Sequence, residues 1–248
     1  MRMVNLLEEI ALAFSFLSRL PIQLGNIKDW EVKVKKMPAY FPIVGYAPGF
    51  MYYVGSLLQS KYPNLSVLIS LSFVSLGFYF FDLFHFDGLL DMFDGFLNQS
   101  SKERRLEIMS KGNVGPFAVF YGTLYVIVFW ELFKRSNPIV FLFGSVFGRY
   151  TMDVVMLFSK PAKPTGLGAL FFPFNKILVF YAMITTLPLV LLGVKLYTLS
   201  LIISWIVGII IALISKKKID GVTGDVLGGS CLIGQMITIL SLACLTIG

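Results

Sequence analysis

Between Leu65 and Phe81 no residue carries a charge, and apolar runs of this kind recur along most of the chain. Such a run leaves the backbone little choice. Out of water its N–H and C=O groups must pair with each other, which a helix achieves within one segment. At about 20 apolar residues per crossing, the runs predict helices near residues 39–59, 65–85, 117–133, 138–158, 176–194, 197–214 and 227–247. The expected fold is all-α: a polytopic integral membrane protein with about seven transmembrane helices. Only 14% of the residues are charged and 56% are hydrophobic, whereas soluble domains carry about 25% charge, so an ordinary soluble domain is excluded. The first segment, Met3 to Leu24, contains Glu8 and Glu9 and is broken by Arg19 and Pro21. It lacks a signal peptide's cleavage site and is expected either to span once or to lie in the interface. Linkers are short and no repeat is visible, so 1–248 reads as one membrane-embedded domain. Residues 98–115 are its one generous polar loop. Cys231 and Cys244 have no Cys or His at ligand spacing and read as buried thiols.

Basic residues orient such a chain, because Lys and Arg are retained on the cytoplasmic side. With the first linker inside, seven alternating crossings place Lys28 to Lys36, the 98–115 loop, Lys160, Lys163, Lys176 and Lys216 to Lys218 on that side. Only Lys61, Lys134, Arg135 and Lys195 fall outside. The expected location is the cytoplasmic membrane, multi-pass, with the functional face toward the cytoplasm. The net charge of +7 then has two sources that composition does not separate, topology and an anionic partner. A lipid bilayer is the required partner. No nucleic acid is expected, and a homo-oligomer is left open.

Into this apolar background the segment from Phe80 to Asn98 sets four carboxylates, Asp82, Asp87, Asp91 and Asp94, together with the chain's one histidine, His85. Ionised carboxylates in such surroundings are costly unless paired or bound to metal. On a helix advancing about 100° per residue, Asp87, Asp91, Asp94 and Asn98 lie at roughly 0, 40, 340 and 20°. They form one oxygen-rich stripe. Acids on one face repel one another, and a hard divalent cation relieves that repulsion while suiting a phosphate-bearing substrate. His85 lies roughly 160° from Asp87, which leaves hydrogen-bonded packing and acid–base catalysis both open. If 65–97 is one helix, it runs about 50 Å and carries the stripe beyond a hydrocarbon core of about 30 Å to the cytoplasmic interface. Gly88 and Gly95 would let another backbone, or a phosphate, come close to that face.

Beyond the stripe, Ser100 with Glu103 has the form of a capping box and predicts a short helix from Lys102 to Ser110, ending near Gly112. Arg104 and Arg105 would project near the mouth of the acidic site, where guanidinium groups grip phosphate oxygens in pairs. The alternative for them is a solvated, lipid-facing pair. Asp225, between Gly224 and an apolar helix, is open between a helix cap and a site residue.

These residues carry a family resemblance. The string His85-Phe-Asp-Gly-Leu-Leu-Asp-Met-Phe-Asp-Gly95, followed by Glu103 to Met109 and Gly115, resembles the signature of the cobalamin synthase family, the adenosylcobinamide-GDP ribazoletransferases. Phe16 to Pro21, Phe41 to Gly45, Gly148-Arg149, Lys163 to Gly168 and Gly224 to Gly228 resemble the family's other segments, in the family's order. One departure is Lys111 and Asn113, where the family commonly has an acid and an arginine. The resemblance implies a Mg²⁺-dependent membrane transferase acting late in cobalamin biosynthesis. Adenosylcobinamide-GDP would meet α-ribazole or α-ribazole 5′-phosphate to give adenosylcobalamin or its 5′-phosphate plus GMP. It also implies metal ligands among Asp87, Asp91, Asp94 and Asp82, and a base that is either a free carboxylate or His85. Substrate contacts would come from Asn98, Arg104, Arg105, Arg149 and Asp225. Two other classes compete. A cation-coupled transporter should hold its acids near mid-bilayer on interrupted helices. A CDP-alcohol-type lipid head-group phosphotransferase would carry an Ala-Arg pair where this chain has Leu89-Leu90.

Overall fold

The computed structural model describes residues 2–25 and 27–246, so the expected helix 227–247 ends on a residue outside those described. Among the described residues every regular element is helical, and the only β pairing is one isolated bridge between Pro161 and Val222. Helix α1 (Arg2–Leu17) stops short of Arg19 and Pro21. Its 16 residues give about 24 Å, less than a hydrocarbon core of about 30 Å. That length suits the interfacial expectation better than the spanning one. Its acids are paired: Glu8 meets Lys33 of α2 (Trp30–Lys36), while Glu9 accepts from the Tyr40 hydroxyl at 2.7 Å and faces Lys36 at 3.8 Å.

Five helices among the described residues are long and apolar enough to cross a membrane: Pro63–Leu97, Pro116–Arg135, Ile139–Leu157, Val194–Ile219 and Gly224–Leu245. The sequence predicts seven, and the two that differ have physical reasons to do so. Helix α3 (Phe41–Lys61) has the length at 21 residues but is rich in Gly, Pro and Ser. It lies inside the bundle, where Ser56 and Gln59 donate to the carbonyl of Phe133 at 3.2 and 3.1 Å. Close packing and interhelical hydrogen bonds favour such residues over purely apolar ones. The other, Ile177–Leu192, is a short apolar helix that tightens into a 3₁₀ turn at Leu187–Leu192.

Pro63–Leu97 is a single helix of 35 residues, about 52 Å long, as the continuous reading of the acidic motif requires. It consists of α4 (Ser66–Gly77), a π-helical turn at Phe78–Asp82 and α5 (Leu83–Leu97). In the π turn the Leu83 N–H reaches back to the Phe78 carbonyl, which leaves neighbouring carbonyls for other partners. The Phe80 carbonyl accepts from the Arg19 backbone at 2.6 Å, and that of Phe81 accepts from Arg149 Nη2 at 3.3 Å. A short α6 (Lys102–Ser110) follows, then α7 (Pro116–Arg135), whose proline opens the helix where its missing N–H costs nothing.

Helix α8 (Ile139–Leu157) is the axis of the bundle, buried along nearly its whole length. It is flanked by α3, α10 (Val194–Ile219) and α11 (Gly224–Thr246), with α9 (Ile177–Thr186) against its side. Glycines set the spacing. A Cβ at Gly148 would lie 2.6 Å from the Cys231 carbonyl, and one at Gly45 would lie 2.6 Å from the Ser145 carbonyl. Backbones this close forgo side chains for dispersion and hydrogen bonding, the usual currency of helix association in lipid. Of the two cysteines, Cys231 is buried as expected. Cys244 is exposed, because it points away from the face on which Leu242 and Ala243 of the same turn are buried.

Candidate active site

Asp87 and Asp91 stand one turn apart on α5, the first exposed and the second half-buried. Between them Gly88 faces α11 so closely that a Cβ there would lie 2.7 Å from the Asp225 carbonyl oxygen and 2.9 Å from its Cα. This contact brings Asp225, in the first turn of α11, alongside the stripe. Asp225 thereby joins Asp87 and Asp94 as a charged neighbour of Asp91. The capping question is settled one residue upstream of the helix. The Thr223 hydroxyl accepts from the Val226 N–H at 3.3 Å and contacts Asp225 Oδ2 at 3.1 Å. With Thr223 as the cap, the Asp225 carboxylate is left to face a cavity.

That cavity, about 430 Å³, is walled by Phe16, Leu17, Phe84, Met152, Leu167 and Phe171, with His85, Asp87 and Asp225 at its polar part. Asp87 and His85 share it although they lie far apart around α5, because the arc between them, which carries Phe84 and Gly88, is the one turned toward α11 and the cavity. His85 is buried, and its Nδ1 lies 3.1 Å from the Phe81 carbonyl. A carbonyl only accepts, so Nδ1 carries the proton, and in the neutral ring Nε2 is the acceptor. A smaller cavity of about 150 Å³ adjoins it, sharing Leu167, Gly224 and Asp225 and adding Lys163, Thr165, Gly166 and Thr223. Gly168 packs on the start of α11, where a Cβ would lie 2.8 Å from the Gly224 nitrogen. The Lys163 charge acts on Asp225. Backbone N–H groups of a helix start beside a lysine suit anionic oxygens. In the sequence Lys163 counts toward the cytoplasmic charge, and Lys163 to Gly168 belongs to the family resemblance. A lysine leading a glycine-rich turn between helices was the available signal.

Other predicted residues have different work. Asp94 accepts from the Gly115 N–H at 2.6 Å and the Ala118 N–H at 3.0 Å, so both oxygens cap α7 and tie the polar loop to α5. Asp82, expected among the metal ligands, and Arg149, expected at the substrate, instead pair with each other at 2.7 Å, both fully buried. Tyr52 donates to the second Asp82 oxygen at 2.7 Å. Burial on all sides keeps both from any open cavity.

The capping residue of α6 is Ser101, one position after the expected Ser100, and it accepts from the Arg104 N–H at 3.3 Å. Ser100 instead donates to Asn98 Oδ1, just beyond the end of α5. Arg105 reaches the carbonyls of Asn98 at 3.3 Å and Lys218 at 3.2 Å, anchoring α6 to the end of α10. Arg104, a step further around the helix, pairs with Glu107 at 2.6 Å and is exposed. Neither arginine lines the two cavities. Lys111 also pairs with Glu107, at 2.6 Å, and Asn113 is exposed. Among the described residues no three His, Cys, Asp or Glu side chains enclose a metal position by themselves.

Comparison with known proteins bears on the whole chain. Residues 9–243 match the profile of the cobalamin-5-phosphate synthase family. A curated adenosylcobinamide-GDP ribazoletransferase of Fervidobacterium nodosum is 63% identical over 240 residues, covering 97% of this chain and 98% of the relative. Relatives of the same name from Thermosipho melanesiensis and Thermosipho africanus are each 52% identical, over 94% and 96% of this chain and 97% and 99% of their own lengths. No solved structure matches. By these matches the chain belongs to the cobalamin-5-phosphate synthase family.

Proposed function

We propose that this protein joins adenosylcobinamide-GDP to α-ribazole or α-ribazole 5′-phosphate at the cytoplasmic face of the cytoplasmic membrane, releasing GMP. The observation that carries this reading is the close approach of Asp225 to α5 at Gly88, which puts Asp87 and Asp225 on one cavity with Asp91 a turn further along α5. In the reaction a ribose hydroxyl oxygen attacks the phosphorus on the cobinamide side of the pyrophosphate. A P–O bond forms to ribazole, the P–O bond to GMP breaks, and the hydroxyl proton passes to a base.

His85 suits that base. Its Nδ1–H is committed to Phe81, so Nε2 is the atom able to take a proton, and the ring lines the same cavity as Asp87. Lys163 and the start of α11 supply positive character for phosphate oxygens, the role the sequence suggested for Arg104 and Arg105. Asp87 and Asp91, with Asp225, are the residues that would hold Mg²⁺. That ion is commonly bound by one or two carboxylates plus waters and substrate phosphates, so a closed protein cage is not required. Bound there, it would neutralise charge on the pyrophosphate and the departing GMP. Asp94 contributes by holding the polar loop on α5.

The test is incubation of the detergent-purified protein with Mg²⁺, adenosylcobinamide-GDP and α-ribazole, following GMP. Release that stops on chelation supports the reading, and no GMP above the chelated control would sink it.

A further inference from the structure

The lining of the 430 Å³ cavity joins apolar side chains to His85, Asp87 and Asp225, and that mixture bears on which part of which substrate enters it. Its volume is in the range of about 300–1,000 Å³ typical of small-molecule sites, far too small for a corrin ring carrying a nucleotide. The deep wall consists of Phe16, Leu17, Met152 and Phe171, with Phe16 and Phe171 meeting edge to face at 5.5 Å. None of these four side chains offers a hydrogen-bond donor. Phe84 and Leu167, 56% and 62% exposed, form the rim.

Resting on the proposed transfer reaction, we infer that this cavity is the acceptor subsite: it takes the flat, methylated benzimidazole of α-ribazole and turns the ribose toward His85, Asp87 and Asp225. Of the donor's two flat bases, the adenine is carried on the corrin, which this cavity is too small to admit, and the guanine is the competitor. Its polar edge would face aromatic and aliphatic carbon in this wall, and unpaired buried polar groups are costly. The carboxylates and His85 Nε2 could accept from that edge, but its O6 and N7 would find no side-chain donor, because the Ser15 hydroxyl donates to the Leu12 carbonyl and the His85 Nδ1–H to that of Phe81. The assignment makes Phe84 and Leu167 specificity-determining residues that touch the base, while the corrinoid approaches from outside the cavity.

Two variants at the exposed rim test this without disturbing the core. Phe84→Ala removes a wall of the subsite, and Leu167→Trp fills part of it. Equilibrium dialysis of α-ribazole against the detergent-purified protein, without donor, reads the subsite separately from turnover. Both variants should weaken α-ribazole binding about tenfold and raise its KM similarly, with the KM for adenosylcobinamide-GDP unchanged. In wild type, the riboside of unmethylated benzimidazole should bind about tenfold more weakly than α-ribazole, since two methyl groups lose their burial. Unchanged ribazole binding in both variants would overturn the assignment. So would displacement of ribazole by GDP together with a raised donor KM, because guanine would then own the cavity. Wild-type protein that binds ribazole with these sensitivities but releases no GMP would leave the subsite standing and remove the proposed reaction.

Discussion

Replacing Gly88 with alanine should separate the geometry of the site from the stability of the bundle. The new Cβ would stand 2.7 Å from the Asp225 carbonyl oxygen and 2.9 Å from its Cα, where ordinary contact begins at 3.4 Å, so roughly 0.7 Å must be found. Both atoms are backbone, so no rotamer change provides it, and α11 must shift away from α5. Overpacking of this kind costs about 1–3 kcal/mol, while alanine's helix preference over glycine returns about 0.5–1 kcal/mol. The net loss of stability is therefore about 0–2.5 kcal/mol. Displacing Asp225 from Asp87 and Asp91 by a sizeable fraction of an ångström should matter more, with turnover falling about 100-fold, equivalent to about 2.7 kcal/mol of transition-state stabilisation. Gly122→Ala is the control. Its Cβ would meet Leu90 Cδ2 at 2.4 Å, the tip of a flexible side chain that can turn away. The assay is GMP release alongside thermal unfolding in the same detergent. Near-normal turnover in Gly88→Ala, or an equal fall in Gly122→Ala, would refute the argument that backbone contact at Gly88 sets the site.

Asp91→Asn should abolish transfer, by at least about 100-fold, while leaving thermal unfolding close to wild type; retained turnover would show that its charge is not used. Breaking the buried pair with Arg149→Met should cost about 3–5 kcal/mol because Asp82 is left uncompensated, and adding Asp82→Leu should recover most of that loss; a single variant as stable as wild type would contradict the buried pairing. Glu107 is pulled from 4.5 to about 2, first by its bond from Lys111 and then by that from Arg104. Its depressed value means that this stabilisation is complete above about pH 4.5 and lost as the pH falls toward 2. Glu107→Gln should flatten that limb of a melting-temperature profile slightly, since the pair is exposed, and an unchanged acid limb would remove the linkage. Cysteines placed at Ser101 and Lys217 should both be labelled from the cytoplasmic side, as the basic-residue bias requires; labelling from opposite sides would break the proposed topology.

Much of this arrangement was legible from local pattern. The uncharged run after Leu65 predicts a helix over 65–85 and leaves open its continuation through the acids to residue 97, and Pro63–Leu97 takes the continuous form. Lys102–Ser110 appears with the predicted bounds because capping chemistry is local, although Ser101 rather than Ser100 performs it. The shared face of Asp87 and Asp91 follows from helical periodicity alone.

What periodicity does not contain is the partner of each polar group. Asp82, Asp87, Asp91 and Asp94 are chemically alike in the sequence, yet one is buried against Arg149, one caps α7, and two flank the approach of Asp225 at Gly88. Those fates depend on how α5 is seated against α7, α8 and α11. The seating is set by close approaches at glycines and by the π turn at Phe78–Asp82, which frees carbonyls for Arg19 and Arg149. Lys163 and Thr223 join the site for the same reason: the loop before α9 crosses the start of α11 at Gly168. Along one helix a residue's direction follows from its number, but a contact between helices far apart in sequence is decided by packing, and only the folded bundle shows which carboxylates remain free for chemistry.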